Sequence, residues 1–127
     1  MPAVNFYPRF ADQVESGQKR QTIRLRQFHP GATLHLLTGQ RTAWCQRLGV
    51  GTVTRCRPVV VDFYNYVPRI VIDDVALSVK QMEAFARADG FPDLDSFMDF
   101  FSDHYELPLA AWVTEWDLAE QTEETAA

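Results

Sequence analysis

The chain has 127 residues, a formal net charge of −5 and 46% hydrophobic residues. That length suits one domain, and the apolar share is enough for a packed core, which excludes a disordered chain outside the last few residues. No apolar run approaches the ~20 residues that span a bilayer, Cys45 and Cys56 are too few for a disulfide framework, and His29, His35 and His104 match no zinc-ligand spacing.

Phe6, Phe10 and Val14 recur every four residues and predict a short amphipathic helix, with Pro8 in its first turn and Gly17 just past its end. Thr22 to Arg26 alternates polar with apolar and predicts a half-buried strand. Ile23 and Leu25 are expected to face the core, with Thr22, Arg24 and Arg26 on the other face. Pro30-Gly31 is a turn, Thr33 to Leu37 a strand, and Gly39 to Arg47 a loop or hairpin end. Leu48 to Val61 and Tyr66 to Ile72 are rich in Val, Ile, Thr and Tyr and read as strands, with Gly49 and Gly51 marking a bend or bulge.

The second half changes character. Ser78 caps a helix to about Ala88, which Asp89-Gly90-Phe91-Pro92 breaks. Asp93 or Asp95 caps a second helix with Leu94, Phe97, Phe100 and Phe101 as its buried stripe, and Ala110 to Leu118 is a last strand. The expectation is one α+β domain over residues 1–119, a small, largely antiparallel barrel-like sheet with two or three helices, followed by a flexible tail over 120–127. The opening residues lack a charged start followed by an apolar stretch, so the chain is read as cytoplasmic, with reduced thiols.

Charge is unevenly spread. Residues 1–61 hold nine Lys or Arg against two acids, a net of +7, and residues 62–127 hold three against fifteen, a net of −12. Either the first half presents a basic face to an anionic partner, or the halves pair charges across the fold.

The segment Gly17-Gln18-Lys19-Arg20-Gln21-Thr22-Ile23-Arg24 concentrates an ammonium, a hydroxyl and two guanidinium groups between a helix end and a strand. Such a cluster can bind phosphate through charge-assisted donors. It can also run nucleophilic chemistry, because a partly desolvated Lys beside other cations loses its proton more readily and can then take one from a Thr hydroxyl. The plainer alternative is a solvated helix end that satisfies the last carbonyls.

Phe10, Gly17-x-Lys19-x-x-Thr22-x-Arg24, Gly31, and later Asp89-Gly90-Phe91 before an aromatic helix together resemble the ASCH domain family. The resemblance implies a PUA-like fold, a small β-barrel flanked by helices, and RNA or a modified nucleoside as partner. One branch of that family hydrolyses N4-acetylcytidine with a Lys, a Thr and a carboxylate. Those roles fall on Lys19, Thr22 and Asp89, and no cofactor or metal is implied. That branch has Glu where this chain has Asp89, a departure of one carbon–carbon bond, ~1.5 Å. Other members are ribonucleases or have no known activity, and a non-catalytic RNA-binding module is a further alternative. Substrate contacts are expected from Arg20, Arg24, Arg26, Trp44 and Tyr66, which can reach phosphate or stack on a base. Backbone N–H groups of Gly17 to Gln21 are expected to stabilise an oxyanion. Arg55 and Arg57 share a strand face and either extend a basic stripe or lie on a solvated edge.

Overall fold

A computed structural model describes residues 2–119. The expected tail, 120–127, lies outside the described residues. In chain order the elements are β1 (Ala3–Phe6), α1 (Pro8–Ser16), β2 (Gln21–Arg24), β3 (Thr33–Thr38), β4 (Gln46–Tyr64), β5 (Val67–Ile72), β6 (Val75–Ala76), α2 (Val79–Ala88), α3 (Leu94–His104) and β7 (Leu109–Leu118). The fold is mixed α+β, with a seven-stranded sheet and three helices.

The 19-residue β4 organises the sheet. Along one edge its first residues pair with β3 and its last with β5. Along the other edge it pairs with β7, which in turn carries β2. β1 lies parallel to β3, and every other pairing is antiparallel. The pairings end at β1, β2 and β6 and do not join these strands to one another, so the hydrogen-bonded sheet is open.

Local chemistry accounts for the helix limits. Pro8 occupies the first turn of α1, and Gly17 closes it at φ 83° with its N–H on the Val14 carbonyl. Ser78 and Gln81 form a reciprocal capping box on α2. Asp93 accepts from the Ser96 N–H (2.8 Å) and starts α3. Between these helices, Gly90 takes φ 99°, and a Cβ there would come within about 3 Å of Phe10, Gln13 and Lys19.

Three sequence expectations are corrected. Phe6 is not on the first helix: it ends β1, whose Ala3 to Phe6 pair with His35 to Thr38. Its spacing to Phe10 and Val14 reflects a shared core, where all three side chains are buried. Leu25 does not face the core and is 66% exposed, because β2 ends at Arg24. The face of β2 that carries Thr22 and Arg24 is not open to solvent. Thr22 is buried, and the Arg24 guanidinium lies 5.0 Å from the Phe6 ring centre.

Of the two glycines expected at a bend, Gly49 adjoins a register shift against Leu36 and Leu37, where Leu48 is the extra residue. Gly51 has a different cause: a Cβ there would sit 2.7 Å from the buried Trp116 ring. Gly51→Ala is therefore expected to destabilise the fold by about 1–3 kcal/mol through overpacking. Urea denaturation measures this, and an unchanged midpoint would contradict it.

Candidate functional site

The site forms where two chain reversals meet. Gly17 ends α1, and the next residues turn back into β2 with the Lys19 N–H on the Gln13 carbonyl (2.9 Å). The break after α2 delivers Asp89 to the same place. Lys19, Thr22, Arg24 and Asp89 line one cavity, walled by Asn5, Phe6, Tyr7, Phe10, Phe91 and Tyr105 among others.

Lys19 and Asp89 are each 3% exposed and Thr22 is 5% exposed. Lys19 Nζ donates to the Asp89 backbone carbonyl and stands 3.5 Å from Asp89 Oδ1. Gln21 Nε2 donates to the same Oδ1 at 3.2 Å. Beside them, Arg24 Nε donates to Thr22 Oγ1 (3.1 Å), and an Arg24 Nη donates to the Asn5 carbonyl (2.9 Å). The ammonium also lies 5.0 Å from the Phe10 ring centre.

Electrostatics in this setting run against the ion pair. Burial holds the Lys19 ammonium below the ordinary lysine range. Asp89 pulls the other way, and Arg24 adds to the lowering. Burial also raises the Asp89 carboxyl above its ordinary range, against the pull of Lys19, Gln21 and Arg24. Each group alone is displaced toward its neutral form, because water lost from both ions outweighs their mutual attraction. Both shifts point away from the ammonium–carboxylate form and toward a proton shared by the amine and the carboxyl. Burial lowers Arg24 as well, yet a guanidinium starts so high that it keeps its charge.

The expected site residues divide in two. Lys19, Thr22, Asp89 and Arg24 are brought together. Arg20 is exposed and turns back to the Gly17 carbonyl, so the cation that crowds Lys19 is Arg24. Arg26 lies over the Phe28 ring, outside the cavity. Trp44 is 82% exposed in the loop before β4, and Tyr66 is 99% exposed at the β4–β5 turn, where its φ is 65°. Neither aromatic lines the cavity. Of the expected oxyanion donors, the N–H groups of Gly17, Gln18 and Lys19 are occupied by Val14, Ser16 and Gln13 at the end of α1. Arg24 is a donor that lines the cavity.

The sequence reading missed Asn5, Gln21, Tyr7 and Tyr105. Gln21 sits inside the singled-out segment, but nothing in its spacing aims it at Asp89. Tyr7, just before Pro8, is the N-cap of α1 and is a visible landmark only once the helix start is known. Among the described residues no group of His, Cys, Asp or Glu is placed to hold a metal ion. Among the described residues no helix is long and apolar enough to cross a membrane.

Compared with protein-family models, curated proteins and solved structures, the chain matches none.

A double-mutant cycle tests the burial argument. Lys19→Met and Asp89→Leu each leave one partner buried alone and are each expected to cost about 3–5 kcal/mol, with the double variant regaining part of that loss. Denaturant unfolding reads all three variants, and strictly additive costs would contradict a coupled pair.

Proposed function

We propose that the chain is an amidohydrolase that removes a small acyl group from a modified nucleoside, with N4-acetylcytidine as the substrate suggested by its ASCH resemblance. The PUA-like barrel that the same resemblance implies is part of this proposal. The observation that carries it is the convergence of a buried amine, a buried carboxyl and a buried hydroxyl on one cavity.

The cavity volume is about 70 Å³. At roughly 15 Å³ per water this is room for a handful of heavy atoms. An acetyl group fits, and the body of the nucleoside stays at the mouth. The basic surface that a general RNA binder needs is less well supported, because Arg55 and Arg57 are both bound to Glu115.

In the proposed reaction, Thr22 Oγ attacks the acetyl carbonyl carbon and its proton passes to neutral Lys19 Nζ. Arg24 Nε, already on Thr22 Oγ, favours the anionic character that grows there, and the other guanidinium N–H groups can meet the carbonyl oxygen. The carbon–nitrogen bond breaks as the N4 amine takes the Asp89 carboxyl proton. Water then attacks the Thr22 ester: the Asp89 carboxylate takes one of its protons, the Lys19 ammonium gives its proton to the departing Thr22 oxygen, and acetic acid leaves with the other water proton, so that amine, carboxyl and hydroxyl are all restored. The shorter Asp in place of Glu is offset by the Asp89 backbone carbonyl, which holds Lys19 directly.

Two outcomes follow. With N4-acetylcytidine, Thr22→Ala is expected to lower kcat/KM at least about a thousandfold while Thr22→Ser retains measurable turnover. Thr22→Ala activity within tenfold of wild type would remove Thr22 as nucleophile. The pH profile is expected to be bell-shaped. Falling pH returns Lys19 to the ammonium form and removes the base. Rising pH strips the pair's last proton and removes the acid. A flat profile would contradict the shared-proton pair.

A further inference from the structure

A groove adjoins the cavity and has no part in the chemistry above. It is lined by Tyr7, Pro8, Arg9, Phe100 and His104, with a volume of about 310 Å³. Tyr7 and Phe100 border both spaces, so the groove lies directly beside the cavity. The inner space takes only a few heavy atoms. The outer one reaches the lower end of the ~300–1,000 Å³ range of small-molecule sites.

The groove walls are flat and aromatic. The His104 ring stacks on Phe100, with centres 4.2 Å apart and planes at 24°. The Tyr7 ring stands 5.7 Å from His104 and is half exposed. A planar ring can be held by such faces without being read by hydrogen bonds. Arg9 lies at the same place. Its guanidinium rests 4.9 Å from the Phe10 ring centre and 5.2 Å from that of Phe91, and among the described residues no carboxylate pairs with it. The first turn of α1, from which Arg9 projects, contains no acidic residue. A cation fixed by aromatic faces and left without a counter-ion suits an anionic group on the ligand.

We infer that this groove holds the body of the substrate as a phosphorylated pyrimidine, its ring against Tyr7 and His104 and its phosphate on Arg9, so that nucleotides are preferred over free nucleosides. The inference rests on the hydrolase reading for the orientation of the ligand, with the base edge toward Thr22, but the binding itself does not depend on catalysis. The phosphate can belong to a mononucleotide or to a single strand of RNA.

Titration calorimetry tests this with unreactive probes: cytidine, cytidine 5′-monophosphate and a short single-stranded oligocytidylate. The nucleotide is expected to bind at least about tenfold tighter than cytidine. Arg9→Gln brings it down toward the cytidine level, and His104→Ala weakens both ligands about fivefold or more. Both residues are exposed, so the variants keep the fold. Tighter binding of the oligonucleotide than of the mononucleotide assigns the phosphate to RNA, and equal binding assigns it to the mononucleotide. Equal affinity for cytidine and its monophosphate, or no binding of either, overturns the inference, even if N4-acetylcytidine is hydrolysed. Selective, Arg9-dependent nucleotide binding with no hydrolysis of the acetylated nucleoside sustains it and sinks the catalytic reading instead.

Discussion

Lys19 and Asp89, 70 residues apart in sequence, meet almost wholly buried on the wall of one cavity. Each arrives on a turn that follows a helix, and in each turn a glycine at positive φ makes the reversal, Gly17 after α1 and Gly90 after α2. The second of these is also a matter of space. The loop approaches so closely that a Cβ at Gly90 would press on the Lys19 side chain itself. The site therefore depends on the closeness of the two reversals, and that closeness is set by helix caps, the Phe10–Phe91 contact and the sheet edge made by β2 and β7. Two apolar side chains would fill the same volume at least as stably. What the amine and carboxyl add is a pair of titratable groups that burial shifts toward their neutral forms.

That burial also orders the remaining polar groups. With Asp89 fixed by Gln21 and Lys19, and Thr22 fixed by Arg24, the polar donors and acceptors of the pocket are aimed before any ligand enters. Phe6 and Phe10 exclude water on one side and offer ring faces to the cations. The uneven charge of the two chain halves finds part of its answer here. Lys19, Arg55 and Arg57 of the first half meet Asp89 and Glu115 of the second, so the halves neutralise one another at these points instead of presenting a continuous basic face.

Much of the fold was legible because local signals agreed with the tertiary outcome. Pro8 and Gly17 bracket α1, Ser78 with Gln81 starts α2, Asp93 starts α3, and the β-branched runs become β4 and β5. β1 was hidden because Phe6 falls four residues before Phe10, and helical spacing cannot distinguish a helix from a strand that shares its core. Leu25 was misplaced because alternation says nothing of where a strand stops. At the site, Gly-x-Lys-x-x-Thr-x-Arg marks the residues that converge, whereas Trp44, between Arg41 and Arg47 in a loop, and Tyr66, in an aromatic run, point to the site on local grounds alone. Position in the sheet, which only the pairing register reveals, takes both away from the cavity. Gln21 and Tyr7 were overlooked for the converse reason, since their relevance lies in what they face.

The most direct test of this account is the location of the proton between Lys19 and Asp89. Nuclear magnetic resonance of the lysine Nζ and the aspartate carboxyl carbon, near neutral pH and assigned with Lys19→Met and Asp89→Asn, reads it for both partners at once. A neutral amine signal for Lys19 together with a protonated carboxyl signal for Asp89 is the expected result. An ammonium and a carboxylate that persist across the neutral range would contradict it, because Lys19 would then hold no free electron pair with which to accept the Thr22 proton.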